Sequence, residues 1–355
     1  VQLRGVSTHG LAWYPAFINE SLFQQAAQDW DCNLIRLALY PSMYTGKEGE
    51  DSYALMKKGI EAATAADMYV LVDWHVLEKG NPNEEMEAAL DFFQRIATEY
   101  AQYPNLIFEI CNEPNGETTW SDVVVYANQV IPVIREQIPE AVILVGTPEY
   151  DRNLSAAVLR PLEFDNVMYD LHFYAASHHE DLLAELETAV KAGLPVFISE
   201  CGLSESDGDG DLDFASAVNW FTYLKEHKIS YTVWSFSDKD ESSALFRTGF
   251  DPEEPVSDQD LTITGLWVRD LLQGKDPEEI ASPAPIVKKS SLDEIRSWIT
   301  DSLGERGARA VGSWPVFAGI TCAFLLLTMI VRRIYHASQK KKCMTYDDII
   351  SPKNR

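Results

Sequence analysis

Two glutamates end short apolar runs of the sequence and could act together in one reaction. Glu113 lies near the end of 105–116, where Pro114 cannot continue the hydrogen bonding of a sheet, and Glu200 ends a second such run. Hydrolysis of a glycosidic bond needs one carboxyl group that protonates the leaving oxygen and a second that attacks or activates water. Taken alone, either glutamate could equally cap a helix or pair with Arg36.

The elements that must position these glutamates are eight short runs rich in Val, Ile and Leu. The runs are 2–8, 33–39, 68–74, 105–111, 141–146, 166–172, 194–199 and 229–235. Several are apolar almost throughout, which suits strands covered on both faces. Because helix-like segments separate them, the pattern predicts parallel βα units, and eight such units predict a closed (β/α)8 TIM barrel. A doubly wound open sheet is the competing architecture.

The predicted helices alternate with these strands. They cover 19–30, 51–66, 84–100, 120–137, 181–192 and 213–228, with a short, weakly patterned segment near 153–159. After the last strand we expect a long loop over 237–260 and a closing helix over 264–272.

Polar residues cluster at the predicted strand ends. They are Arg36 on strand two, Asp73 and His75 at strand three, Asn112 and Glu113 at strand four, His172 and Tyr174 at strand six, Glu200 at strand seven and Trp234 at strand eight. A barrel brings all of these positions to its C-terminal face, whereas an open sheet would scatter them. Their placement therefore favours the barrel.

Eight motifs at these strand ends follow one another along the chain. They are GVSTHGLAW at 5–13, IRLALYP at 35–41, DWHV at 73–76, FEICNEPNG at 108–116, VGTP at 145–148, HFYAASH at 172–178, FISECG at 197–202 and WSFSDK at 234–239. In this order they resemble glycoside hydrolase family five, in its bacterial endoglucanase (cellulase) branch. The resemblance extends from the first strand to about residue 272.

The resemblance implies roles for the catalytic residues. Glu113 matches the acid/base, and Glu200 matches the nucleophile that forms a glycosyl-enzyme intermediate. Arg36 and Tyr174 match the partners that favour the charged form of the nucleophile and orient it. Asn112 matches the residue that hydrogen-bonds the sugar 2-hydroxyl. In a retaining enzyme of this kind the two carboxyl groups are expected to lie about 5 to 5.5 Å apart.

Further matches concern the walls of the site. His75 and His172 match histidines beside the cleaved sugar, and Trp13 and Trp234 match aromatic platforms. Lys239 and Glu241 match polar contacts on the non-reducing side of the cleavage point. His9 and Tyr40 match residues of the wall on that side. The sequence departs from the family where it has 149–152, Glu-Tyr-Asp-Arg, in place of a frequent Trp-Ser-Gln run. Tyr150 is expected to replace the tryptophan as a platform on the leaving-group side.

We expect no cofactor and no metal ion. The spacing of His172, His178 and His179 is not that of a standard zinc site. The aspartate-rich segment 207–213 fails the register of an EF-hand, because Leu212 occupies the position that needs glycine. We expect instead a flexible loop that caps the next helix through Asp211 or Asp213.

Composition narrows the choice of partners. The 355 residues carry a formal net charge of -26, which argues against nucleic acid and favours an uncharged polysaccharide as substrate. Five widely spaced cysteines predict buried single thiols rather than a disulfide framework. We expect a monomer. Because Val1 opens almost directly into a strand, we expect the sequence to be a fragment that lacks an N-terminal part.

The C-terminal region differs from the rest of the chain. Residues 311–331 carry no charge and are long enough to cross a bilayer, and the basic residues after them place 332–355 in the cytoplasm. The expected organisation is a catalytic domain over 1–274, a linker with a short amphipathic helix over 275–310, the transmembrane helix and the tail. The barrel would then face outward at the cell surface.

The sequence thus predicts a retaining endo-β-1,4-glucanase that acts on cellulose or a related β-1,4-linked glucan and is tethered to a membrane. Two alternatives stay open. One is a β-mannanase or mixed-linkage glucanase with the same catalytic pair. The other is a surface carbohydrate-binding protein without catalytic activity.

Overall fold

A computed structural model describes residues 1–280, in which all strands are parallel and belong to one sheet. The strands are β1 (Arg4–Thr8), β2 (Leu34–Leu39), β3 (Tyr69–Trp74), β4 (Leu106–Glu109), β5 (Val142–Val145), β6 (Val167–Asp170), β7 (Phe173–Tyr174), β8 (Val196–Gly202) and β9 (Tyr231–Phe236). The helices are α1 (Glu20–Trp30), α2 (Pro41–Thr45), α3 (Gly49–Ala65), α4 (Met86–Glu99), α5 (Trp120–Gln137), α6 (Pro148–Asp151), α7 (Leu154–Leu159), α8 (Glu180–Lys191), α9 (Phe214–His227) and α10 (Ile263–Leu272). Short 3-10 helices lie at Pro15–Phe17 and Pro82–Glu85.

The sheet closes into an eight-stranded barrel. Strand β1 pairs with both β2 and β9, and β6 pairs with β8 through Tyr169 opposite Val196. The two strands β6 and β7 together form the sixth strand of the barrel, and β7 pairs with the end of β8. The predicted (β/α)8 barrel is therefore confirmed, and the open doubly wound sheet is excluded because the sheet has no free edge.

The barrel interior changes from apolar to polar along the strands. Its N-terminal part is filled by Leu34, Leu71, Ile107, Leu144 and Phe197. Side chains two positions apart on a strand share a face, so the residues that follow these point inward as well. On β2, β3, β4 and β8 they are Arg36, Asp73, Glu109 and Ser199, all fully buried. A buried polar layer therefore lies directly beneath the C-terminal face.

The predicted helices differ from the observed ones by one or two residues at most ends. The helix predicted over 120–137 is reproduced, whereas the one predicted from residue 84 begins as a 3-10 turn before α4. Helix α2 was missing from the prediction, because its five residues are too few to show a helical period. Asp213 caps α9 by accepting a hydrogen bond from the Ser216 amide (2.9 Å), as predicted for the aspartate-rich segment.

Three cysteines lie in the described part of the chain. Cys32, Cys111 and Cys201 are buried and form no disulfide, which confirms the prediction of single thiols for these three. Cys322 and Cys343 lie outside the described residues.

The expected features of the C-terminal region also lie outside the described residues. They are the amphipathic helix at 291–303, the membrane-spanning segment 311–331 and the basic tail 332–355. Among residues 1–280, no helix combines the length and the apolar character needed to cross a bilayer.

Candidate active site

A cleft of about 520 Å³ opens at the C-terminal ends of the strands. Eleven of the predicted site residues line it: His9, Trp13, Tyr40, His75, Glu113, Tyr150, His172, Tyr174, Glu200, Trp234 and Lys239. Three further predicted residues, Arg36, Asn112 and Glu241, lie behind its wall. Lining residues that were not predicted as site residues are Leu77, Glu78, Arg152, His178, Ser206, Asp207 and Gly208. The structure thus brings the predicted constellation together.

The two candidate glutamates face each other across a short gap. A carboxylate oxygen of Glu113, a ring nitrogen of His172 and a carboxylate oxygen of Glu200 all lie within 4.8 Å of one another. This separation is typical of carboxyl pairs that act by direct attack, because inserting a water between the pair needs about 6.5–9.5 Å. The same three atoms are close enough together to bind a cation. The expectation that no metal binds stays a prediction.

Glu200, on β8, is held by two donors. The Tyr174 hydroxyl donates to Oε1 (2.6 Å), and Arg36 Nη1 donates to Oε2 (2.8 Å). Hydrogen bonds and a cation at this distance stabilise the ionised carboxylate. These two contacts fix the orientation of the carboxylate, and Glu200 lines the cleft, as a nucleophile must.

Arg36, on β2, is fully buried and contacts several acidic groups. Its Nε and Nη2 donate to the two oxygens of Glu109 (2.8 and 2.7 Å), and Nη2 lies 3.1 Å from Asp73 Oδ2. Glu109 was missing from the predicted site, although a glutamate in the otherwise apolar run of β4 is a signal for a buried ionic partner. This bidentate pair fixes the guanidinium that holds Glu200.

Asn112 lies against the same guanidinium. Its Oδ1 accepts from Arg36 Nη2 (2.6 Å), and its Nδ2 donates to the Val76 carbonyl (2.9 Å). The orientation of the amide is therefore set, because only the oxygen can face Arg36. The second hydrogen of Nδ2 has no hydrogen-bond partner among residues 1–280.

Glu113 has an unusual backbone conformation. Its φ of 42° lies in the left-handed region, where a residue with a side chain is strained. Its amide donates to Asp151 Oδ2 (2.8 Å), which holds the turn in place. Burial raises the pKa of the Glu113 carboxyl, against the opposing effects of His75, Arg36 and Arg152. Glu113 therefore keeps a proton to higher pH than an exposed glutamate does.

His172 links Glu113 to the buried layer. Burial is the largest cause that lowers its pKa to about 4, so the ring is neutral at pH 7. Its Nε2 lies 2.8 Å from Ser199 Oγ, and this hydroxyl donates to Glu109 Oε1 (3.2 Å). Since the hydroxyl proton is directed to Glu109, Nε2 carries the ring proton, and Nδ1 is left to accept from protonated Glu113 (3.0 Å).

His75 and the aromatic residues form one wall. His75 Nδ1 lies 2.7 Å from Asp73 Oδ2, and the ring is stacked on Trp234 with centroids 5.6 Å apart. Burial is the main cause that lowers the pKa of His75 to about 4 and raises that of Asp73 to about 8. Trp234 is only 6% exposed, whereas Trp13 is 48% exposed. Trp234 thus offers far less open surface than an exposed platform.

Comparisons with known proteins agree with this geometry. The family description "Cellulase (glycosyl hydrolase family 5)" matches residues 1–240. Endoglucanase A of Butyrivibrio fibrisolvens is 41% identical over 313 residues, covering 86% of this chain and 70% of its own length. An endoglucanase of Clostridium saccharobutylicum is 38% identical over 304 residues, covering 84% of this chain and 67% of its own length.

The chain belongs to glycosyl hydrolase family 5.

Solved structures give the same result. The catalytic domain of an endoglucanase from Thermobifida fusca aligns with a TM-score of 0.74 and 38% identity, covering 77% of this chain and 92% of that domain. A variant of the same domain, solved in complex with cellotetraose, aligns with a TM-score of 0.74 and 37% identity, with the same coverage.

Within this family 5 site, the departure at 149–152 has a distinctive backbone. Glu149, Tyr150 and Asp151 all have positive φ (64°, 61° and 55°). A Cβ at Gly146 would lie 2.9 Å from Asp151 Oδ1 and 2.3 Å from the Cys111 carbonyl oxygen, so the close approach of Asp151 requires glycine there. The turn exposes Tyr150 (43%) and buries Asp151 beneath the Glu113 amide. Asp151 also accepts from the Thr147 amide and was not predicted from the sequence.

Lys239 and Glu241 form an ion pair rather than two separate contacts. Lys239 lines the cleft, but the Glu241 side chain is nearly buried and its Oε1 accepts from Ser243 Oγ (2.9 Å). Glu241 therefore positions Lys239, and its own predicted contact with substrate stays a prediction.

Replacing Glu109 by glutamine is expected to damage both stability and activity. Glu109→Gln removes one carboxylate of a fully buried pair and leaves Arg36 under-compensated, which costs about 3–5 kcal/mol in comparable cases. Chemical denaturation gives the free energy of unfolding, and the kcat of the residual folded enzyme reports how well Arg36 still holds Glu200.

Glu99→Gln is the matched control, because Glu99 pairs with Lys57 at the surface and its loss should cost less than about 1 kcal/mol. Equal unfolding free energies for the two variants would contradict the importance of the buried pair.

Proposed function

We propose that this chain is a retaining endo-β-1,4-glucanase that hydrolyses internal bonds of cellulose or a related β-glucan. The observation that carries the proposal is the short gap between Glu113 and Glu200 combined with their opposite environments. Glu200 accepts hydrogen bonds from the Arg36 cation and the Tyr174 hydroxyl, whereas burial raises the pKa of Glu113. One carboxyl group is thus prepared to attack and the other to donate a proton.

The first displacement uses both groups at once. A Glu200 oxygen attacks the anomeric carbon and forms a glycosyl-enzyme ester, while Glu113 gives its proton to the departing glycosidic oxygen. As Glu200 loses its charge to the new bond, Tyr174 and Arg36 keep its carboxyl group oriented. Glu113 is left as a carboxylate beside the neutral His172 ring.

The second displacement returns the enzyme to its starting state. Water enters at the position of the departed sugar, and Glu113 takes its proton as the oxygen attacks the anomeric carbon. The ester bond to Glu200 breaks, and the sugar leaves with its original anomeric configuration after two inversions. The free N–H of Asn112 is the donor we assign to the sugar 2-hydroxyl.

Substrate binding is assigned to the walls of the cleft. The exposed rings of Trp13 and Tyr150 offer flat apolar surface to the C–H faces of glucose units. His9, Tyr40 and Lys239 would supply polar contacts near Trp13. The endoglucanase relatives, one of them solved with cellotetraose, support a β-1,4-linked glucan over mannan.

Glu200→Gln should abolish hydrolysis and leave binding intact. The amide cannot attack the anomeric carbon, so kcat on soluble β-1,4-glucan should fall by at least about 10³-fold. Calorimetric titration with cellotetraose should still detect binding. Glu187→Gln, on the exposed face of α8, is the control. Persistent turnover by Glu200→Gln would require a different nucleophile.

The same assay separates the rival functions. Wild-type protein should release products from cellulose-type glucan faster than from mannan or xylan. Faster release from mannan would favour the mannanase alternative. Binding without any cleavage by the wild type would favour a carbohydrate-binding protein.

The pH dependence should show the raised pKa of Glu113. Glu113 must be protonated for the first displacement, so kcat/KM should fall as pH rises through its pKa, which lies above that of an exposed glutamate. In Glu113→Gln, assayed on an aryl cellobioside whose leaving group needs no proton, this alkaline limb should vanish. An unchanged alkaline limb would assign it to another group.

We also propose that the chain is attached to a membrane at the cell surface, with the barrel outside. The support is the uncharged run 311–331 and the basic residues that follow it. In cells producing the chain, the glucanase activity should remain with carbonate-washed membranes, and deleting 311–331 should release it. Protease added to intact cells should remove the activity. Activity in the soluble fraction of the undeleted chain would refute the attachment.

A further inference from the structure

Two nitrogen donors meet on the wall of the cleft beside Tyr150. Arg152 Nη1 lies 3.4 Å from His178 Nε2, and both side chains line the cleft. The proposed mechanism uses neither residue. What the pair does depends on which ring nitrogen of His178 carries the proton.

The backbone decides this tautomer. The amide of Tyr174 donates to His178 Nδ1 (2.9 Å), and since a backbone N–H only donates, Nδ1 must carry the lone pair. Burial, and next the charge of Arg152, lower the pKa of His178 to about 4, so the ring is neutral. Its single proton is therefore on Nε2. Arg152 and His178 thus present two N–H groups to each other, which is not a hydrogen bond.

Both donors are held in place by other contacts. Arg152 Nε donates to the Glu149 carbonyl (2.7 Å), and its guanidinium lies 5.6 Å from the centre of the Tyr150 ring. The carbonyl of His178 accepts from Trp220 Nε1 (2.9 Å) on α9. Together with the Tyr174 amide at His178 Nδ1, these contacts keep the two N–H groups facing each other.

In the described part of the chain Arg152 forms no ion pair, although its charge acts on Glu113 and opposes the rise in the pKa of that carboxyl. Among residues 1–280, no carboxylate forms an ion pair with Arg152, in a chain whose net charge is -26. The other acidic residues of the cleft wall, Glu78 and Asp207, contribute no such pair either. An arginine Nη1 that faces a second donor instead of an acceptor suits an oxygen atom that carries negative charge.

We propose that Arg152 and His178 bind a carboxylate of the substrate, so that the cleft accepts a β-glucan chain bearing a uronic acid unit next to Tyr150. A carboxylate accepts from both donors and also balances the charge of Arg152. A sugar hydroxyl accepts a hydrogen bond but leaves that charge unbalanced. The inference rests on the proposed function for the main chain of the substrate and adds a preference for one of its substituents.

The test compares two matched oligosaccharides. One is cellotetraose, and the other is its analogue with glucuronic acid in place of one glucose on the leaving-group side. Wild-type kcat/KM should be about tenfold higher for the acidic ligand, chiefly through a lower KM, as expected for one charge-assisted contact. Added salt should reduce the preference.

Two variants remove one donor each. Arg152→Gln removes the charge, and His178→Asn removes the Nε2 donor while its amide oxygen can still accept from Tyr174. Each should lower kcat/KM for the acidic ligand about tenfold more than for cellotetraose. Arg160→Gln, an exposed arginine just after α7, is the matched control and should leave the ratio of the two ligands unchanged.

The outcomes separate this inference from the proposed function. Equal wild-type kcat/KM for both ligands, or an equal loss for both in Arg152→Gln, would overturn the carboxylate site. If neither ligand is hydrolysed, the proposed function fails, and calorimetric titration of the wild-type protein then tests the site alone. Tighter binding of the acidic ligand, abolished by Arg152→Gln, would uphold the site in that case. Equal affinities would overturn it.

Discussion

Much of the site depends on one buried cation. Within residues 1–280, Arg36 is fully buried in the barrel interior, surrounded by Glu109, Glu200 and Asp73 at hydrogen-bonding or ion-pair distance. A charge in such surroundings is tolerated only when it is paired and all its donors are used. Meeting that requirement fixes three further groups. The nucleophile candidate Glu200, the amide of Asn112 and the inner carboxylate Glu109 all take their orientation from the same guanidinium.

Glu109 connects the two halves of the catalytic pair. Its Oε1 accepts from Arg36, which holds Glu200, and also from Ser199, which accepts from His172 beside Glu113. One buried carboxylate thus supports both glutamates, yet the groups that contact the two glutamates differ. Toward Glu200 the network ends in a cation, which favours the ionised carboxylate. Toward Glu113 it ends in a neutral imidazole that accepts a hydrogen bond, which favours the protonated acid. This asymmetry supplies what an acid and a nucleophile need.

The sequence predicts the barrel and most of the lining because both follow from local patterns. Apolar runs mark strands buried on both faces, and polar residues at their ends converge by the geometry of a closed sheet. Glu109 escapes this reasoning because its role depends on which face of β4 turns inward, and that requires the register against β3 and β5. The break between β6 and β7 is likewise set by tertiary contacts, since the His172 amide donates to the Asp151 carbonyl (2.8 Å).

The turn after β5 is harder to predict and has wider consequences. Three consecutive residues with side chains adopt left-handed conformations, each at a cost of about 1–2 kcal/mol, and no glycine or asparagine marks the position. Contacts with distant residues offset this cost. The Tyr150 amide donates to the Pro114 carbonyl (3.1 Å), and Asp151 accepts from the Glu113 amide.

Because these hydrogen bonds join the turn to Glu113 and Pro114, the two strained segments hold each other in place. One segment thus exposes the ring of Tyr150, supports Glu113 from below and directs Arg152 toward His178. A change in this segment that relieved its backbone strain would therefore alter substrate contacts and proton transfer together. That coupling constrains how freely the leaving-group side of the cleft can vary without loss of the acid/base geometry.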